Sequence, residues 1–171
     1  MNITNTKFNE IVDHRLDLYE QKKTEPLTRQ SKATKRGTLL EDVAVELFKK
    51  HPKVKSIETQ VYKEEVDDFS LIDIVLRTHK GNDIYVSVAR DLWLGTSQQD
   101  RLQVQTLKYK SGVLDDYNYC YLVGDSFSDF VKEKCAKGAR KKPTVQNWIR
   151  KLAEVKMLHT FETLWEHVET L

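Results

Sequence analysis

Asp73 stands in the run Leu71-Ile72-Asp73-Ile74-Val75-Leu76, with aliphatic residues on both sides. Aspartate has poor strand propensity, and burying its charge without a partner is costly. Such a residue needs a cation, a cluster of donors or a metal, and an arginine partner is the plainest of these. A second carboxylate, Glu41, lies in GTLLEDVAVELFKK, Gly37 to Lys50. One turn away from it are Gly37, Ala44, Val45 and Phe48, which puts it at the edge of the apolar stripe formed by Leu40, Val43, Ala44, Leu47 and Phe48. Taken alone, Glu41 reads as an ordinary boundary glutamate. A third feature is the pair Ser87 and Ala89, which share one face of an alternating segment; Arg90 points to the opposite face, and Asp91 returns to theirs.

These residues depend on the elements that carry them. Phe8 to Glu20 has apolar residues at helical spacing, and Gly37 to Lys50 is the strongest helix signal, stopped by His51-Pro52. Val54 to Tyr62 alternates as a strand and leads into an acidic loop that runs to Phe69. Leu71–Thr78 and Ile84–Ala89 read as two strands joined by a turn at Lys80-Gly81-Asn82-Asp83. Thr96 or Ser97 caps a helix through Tyr109, Tyr117 to Val123 is a strand, and Ser126 or Ser128 starts a helix to Lys137. Val145–Leu158 and Phe161–Val168 are amphipathic helices. The expected fold class is therefore α/β, with a mixed central β-sheet flanked by helices.

At 171 residues, 39% hydrophobic and 32% charged, the chain suits one globular domain with a fair core. It contains no apolar run long enough to span a bilayer and no signal-peptide pattern, so no membrane is expected. Cys120 and Cys135 lack metal-finger spacing and read as free thiols of a reducing, cytoplasmic compartment. The net charge of +2 is uninformative, but its distribution is not. Basic residues gather in Arg29 to Arg36 and in Lys132 to Lys151, around an acidic middle at Glu64, Glu65, Asp67, Asp68 and Asp73. That pattern suits phosphates held around a metal-binding centre, and equally two solvated surface segments.

In order and spacing the motifs resemble the PD-(D/E)XK nuclease superfamily: GTLLE on a helix, Ile72-Asp73 on a strand, and Ser87-Val88-Ala89 on the next. Gln105-Thr-Leu-Lys-Tyr109 matches the Q-x-x-x-Y pattern of the RecB-like branch, whose first motif is also G-x-x-x-E. The resemblance implies a restriction-endonuclease-like core over about residues 36–123, within a single nuclease domain spanning 1–171 whose C-terminal helical part covers about 126–171. It implies that Glu41 and Asp73 hold Mg²⁺, which Mn²⁺ can replace, with the Val88 carbonyl as a further ligand. Ser87 takes the place of the family's acid. Ala89 stands where the family has the lysine that positions and helps deprotonate the attacking water. Three readings of Ala89 stay open: a degenerate enzyme, a positive charge supplied from elsewhere (Lys63 being one source), or an inactive lysine-to-alanine variant.

The implied activity is Mg²⁺-dependent hydrolysis of phosphodiester bonds in double-stranded DNA, most like a type II restriction endonuclease. Such enzymes form homodimers that match two-fold symmetric sites. A RecB-like repair or recombination nuclease is the second expectation. A DNA-binding protein that kept the fold and lost catalysis is the rival from another class. For reading DNA the candidates on the helix after the hairpin are Gln98, Gln99, Arg101, Gln105, Lys108 and Tyr109. Lys35 and Arg36 come from the first basic segment, and Arg140, Lys141, Lys142, Gln146 and Asn147 from the second. Trp148 reads as a core residue of the following helix.

Overall fold

The computed structural model describes residues 3–89, 96–124 and 143–171. Helices α1 (Asn5–Gln21) and α2 (Arg29–Phe48) come first, followed by strands β1 (Val54–Lys63), β2 (Asp67–Thr78) and β3 (Asp83–Ala89). Helix α3 (Thr96–Lys110), strand β4 (Asn118–Val123), helix α4 (Pro143–Glu154), strand β5 (Leu158–His159) and helix α5 (Phe161–Thr170) complete the order. Among the described residues the sheet has five strands in the order β1-β2-β3-β4-β5. The first three are antiparallel neighbours, while β4 runs parallel to β3 and β5 parallel to β4. The fold is thus α/β with a mixed sheet between helices.

Each cap follows from a local residue choice. Thr4, Thr28 and Thr160 are extended residues whose hydroxyls accept the N–H of Lys7, Ser31 and Thr163, satisfying donors that a helix start leaves open. Gly81, at φ 86°, closes the β2–β3 turn, where Gly81 N donates to Thr78 O and Thr78 N to Asn82 O.

One side of the sheet buries Ile74, Leu76, Ile84, Val86, Cys120 and Leu122 against Phe8, Leu40, Val43, Phe48, Phe161 and Trp165 of α1, α2 and α5. The other buries Val75, Tyr119, Tyr121 and Val123 against Leu114, Ile149, Leu152 and Met157. Ile72 packs in this second cluster and Ile74 in the first, although strict alternation would put both on one face. The alternation breaks at Asp73, between them.

Three boundaries differ from the sequence expectation. The basic stretch from Arg29 forms the opening turns of α2 instead of a segment preceding it. Strand β2 begins at Asp67, inside the expected acidic loop, because β1 and β2 stay paired through a register shift to Lys63↔Asp67. The helix expected to reach Leu158 ends at Glu154. Lys156 adopts φ 63°, Lys156 N donates to Ala153 O and Met157 N to Leu152 O, a reverse turn that ends the helix. Leu158 and His159 then pair with β4, a short strand that periodicity could not separate from the preceding helix.

Candidate active site

The β2–β3 ladder ends at Ile74↔Val86. Just beyond it the Asp73 side chain takes over: Val88 N donates to Asp73 Oδ2 at 2.7 Å. A carboxylate here acts as the acceptor that a strand neighbour would otherwise provide, which fixes its direction.

Glu41 arrives from α2. Gln60 Nε2 donates to Glu41 Oε1 at 2.8 Å and to Asp73 Oδ1 at 3.4 Å. Two carboxylates from separate elements therefore converge on one nitrogen. Asp73 was expected to need a cation, a metal or a cluster of donors; in this structure donors are supplied. Burial raises the Glu41 carboxyl above its usual value, the Gln60 hydrogen bond acts against this, and the charges of Asp73 and Asp42 add to the rise.

Gln60 was not singled out by its sequence context. It has φ 55°, the left-handed region, within a β-strand. For a residue with a side chain that conformation costs about 1–3 kcal/mol and persists only where the surroundings enforce it. The register places it opposite Asp73, between Thr59↔Ile74 and Val61↔Ile72.

A cavity of about 300 Å³ adjoins the pair, lined by Gln60, Asp67, Ser70, Leu71, Asp73, Ser87, Val88 and Tyr121. Ser87 is buried, and its Oγ accepts a hydrogen bond of 3.0 Å from Tyr119 Oη. Burial pushes the Tyr119 hydroxyl well above its ordinary value, so it stays a neutral donor. Asp67 is engaged locally, accepting from Ser70 N at 3.1 Å and Ser70 Oγ at 3.0 Å.

Among the described residues neither lysine nor arginine lines this cavity. Ala89 packs at the edge of the second apolar cluster. Lys63 pairs with Glu65 at 3.7 Å and lies over the Tyr117 ring. Lys108 Nζ donates to Val66 O at 3.1 Å and approaches Asp68 at 3.5 Å, tying α3 to the start of β2. The two carboxylates suit a hard cation that keeps much of its water shell, since Mg²⁺ is commonly held by one or two carboxylates. Among the described residues no cluster of three or more His, Cys, Asp or Glu side chains is placed to hold a metal.

The other expected site residues are more scattered. Arg36 joins α2 to α1, with Nε on Asp13 Oδ1 at 3.1 Å and a terminal nitrogen on Asn9 Oδ1 at 2.9 Å. Lys35 lies over the Tyr19 ring at 4.4 Å. Gln105 is buried, at 4% exposure, and its Oε1 has no hydrogen-bond partner among the described residues. Tyr109 packs against the second apolar cluster, and Asn147 is exposed on α4. The side chains of Gln98, Gln99, Arg101, Gln146 and Trp148 lie outside the described residues. So do Arg90, Asp91, Cys135, Arg140, Lys141, Lys142 and the helix expected over 126–137. Among the described residues no helix is long and apolar enough to cross a membrane.

No family model, curated protein or solved structure matches this chain.

Proposed function

We propose that the chain is a Mg²⁺-dependent DNA endonuclease of the PD-(D/E)XK type, carried here with alanine in place of its catalytic lysine. The observation that supports this best is the convergence of Glu41 and Asp73 on one point beside a cavity. The order of elements and the succession of Glu41 on a helix, Asp73 on β2 and Ser87 on β3 agree with that reading. In it, Glu41 and Asp73 hold the cation, with the Val88 main chain beside them. A cation held there would supply acidification of a water and an offset to charge developing on the phosphate. Val88 N–H fixes the direction of Asp73, and Tyr119 fixes Ser87. On this reading Ala89 stands where a lysine would place and help deprotonate the nucleophile. Lysine at position 89 would supply that group from the Ser87 side of β3.

Ala89, packed against apolar neighbours where the nuclease reading needs a lysine, also favours a second reading. In that reading the protein binds duplex DNA without cutting it. Ala89→Lys separates the two. Mg²⁺-dependent cleavage of duplex DNA should appear, and Ala89→Lys with Asp73→Ala should stay silent. A folded single variant that binds DNA and fails to cut with Mg²⁺ or Mn²⁺ would leave the binding protein as the better account. Both readings expect DNA affinity to fall steeply with salt, because basic segments displace phosphate counterions. Neutralising Arg140, Lys141 and Lys142 together should weaken binding and flatten that dependence, as measured by fluorescence anisotropy at several salt concentrations.

A further inference from the structure

Gln60 is the residue of this region that the proposed mechanism leaves unused. It sits on β1, an outer strand of the sheet among the described residues, and its amide lies between a helix carboxylate and a strand carboxylate. Its backbone takes a conformation suited to glycine. It also lines the cavity shared by Asp73, Ser87 and Val88. A glycine at position 60 would fit the backbone better and lose the amide.

We infer that Gln60 is a cation-exchanged ligand of the proposed metal site. Without a divalent ion its Nε2 faces Glu41 and Asp73; with one bound, the amide turns over and presents Oε1 as a neutral oxygen ligand. This rests on the metal-dependent reading of Glu41 and Asp73. Two carboxylates without a cation attract a donor, and the amide nitrogen meets that need at 2.8 and 3.4 Å. A cation between the same carboxylates repels an N–H dipole aimed at it and attracts a carbonyl oxygen. In a glutamine, nitrogen and oxygen share one planar carbon, and the terminal torsion is broad and nearly two-fold. Turning it over puts the oxygen where the nitrogen was, with little movement of the rest of the side chain. Side-chain amide oxygens are ordinary ligands of hard divalent cations. The same group thus donates to the pair in one state and joins the coordination in the other.

The test is Mn²⁺ and Mg²⁺ binding by titration calorimetry, with Mn²⁺ also followed by electron paramagnetic resonance, on the full chain without DNA. Gln60→Gly removes both amide atoms and suits φ 55°, so the fold should survive, as circular dichroism would verify. It should weaken Mn²⁺ binding roughly 10-fold or more, the scale seen when groups that support a metal site are removed. Gln60→Glu offers a charged oxygen and should bind Mn²⁺ more tightly than the parent chain, while its metal-free form melts at a lower temperature because three carboxylates then crowd together. Unchanged or tighter Mn²⁺ binding in Gln60→Gly would overturn the inference, since the amide would then only compete with the ion. If the parent chain shows no Mn²⁺ binding that Asp73→Ala removes, the metal reading itself fails, and the role of Gln60 falls with it.

Discussion

On the side of the sheet covered by α1, α2 and α5, rings pack against rings. Phe8 stacks on Phe161 with centroids 4.4 Å apart, and Phe48 lies 5.1 Å from Phe161 and 5.5 Å from Trp165. His51 closes this cluster by donating from Nε2 to the Trp165 carbonyl at 3.3 Å. At the end of the β2–β3 ladder the packing is of another kind. There the chain sets Gln60, Asp73 and Ser87 around a cavity with Glu41 bonded to Gln60, holds one backbone residue in the left-handed region and raises a carboxyl by burial. The aromatic side gains stability from contact area. The polar end gives some of that stability up, since crowded carboxylates and a left-handed glutamine both oppose folding. A region that is unfavourable to build and yet well defined is where function is best sought.

The strongest way to sharpen this contrast is Ala89→Lys. On the proposed nuclease reading, a lysine that positions and deprotonates the nucleophile should raise Mg²⁺-dependent cleavage by about 10²–10⁴-fold, measured on supercoiled plasmid, with little change in DNA affinity. Phe161→Ala probes the other side. Deleting this fully buried ring should cost about 3–5 kcal/mol in denaturant unfolding and leave Mn²⁺ binding within error. A large loss of Mn²⁺ affinity in a folded Phe161→Ala protein would show that the two regions are not separable.

Acid should also act away from the site. His159 is buried, its Nε2–H donates to Lys156 O at 3.0 Å, and burial first, then the nearby His167 and Lys156 charges, lower its pKa to about 4. The unfolded chain therefore takes up this proton before the folded one does. Stability contributed by the neutral ring is complete above about pH 6.5 and falls as pH drops towards about 4, by at most about 3 kcal/mol. Thermal melts of His159→Gln should show a shallower acid slope. The smallest effect is expected at the carboxylate pair itself. Glu41→Gln removes a partly buried charge beside Asp73, so the metal-free protein should gain a little stability, under about 1 kcal/mol given the exposure of the group. The same change should abolish Mn²⁺ binding. A stability loss instead would mean that Glu41 is held chiefly by the Gln60 hydrogen bond and not opposed by Asp73.

Much of this molecule is decided by short-range chemistry that the sequence carries openly. Apolar spacing marks α2, alternation marks β3, Gly81 marks the hairpin turn, and the aliphatic setting of Asp73 marks it as unusual. These depend on a residue and its near neighbours, so they can be read before any fold is known. The convergence of Glu41 with Asp73 is different. It requires α2 to pack on one face of the sheet and the strand alternation to break between Ile72 and Ile74, and both are products of tertiary packing. Leu158–His159 becomes a strand only because β4 offers a free edge. Gln60 is the clearest case, since nothing in Thr59-Gln60-Val61 foretells a left-handed backbone or an amide shared by two carboxylates. A sequence specifies which groups are available and the local shapes they prefer. The long-range contacts that bring distant groups to one point, and hold one of them in a costly conformation, exist only once the sheet and its helices have closed around them.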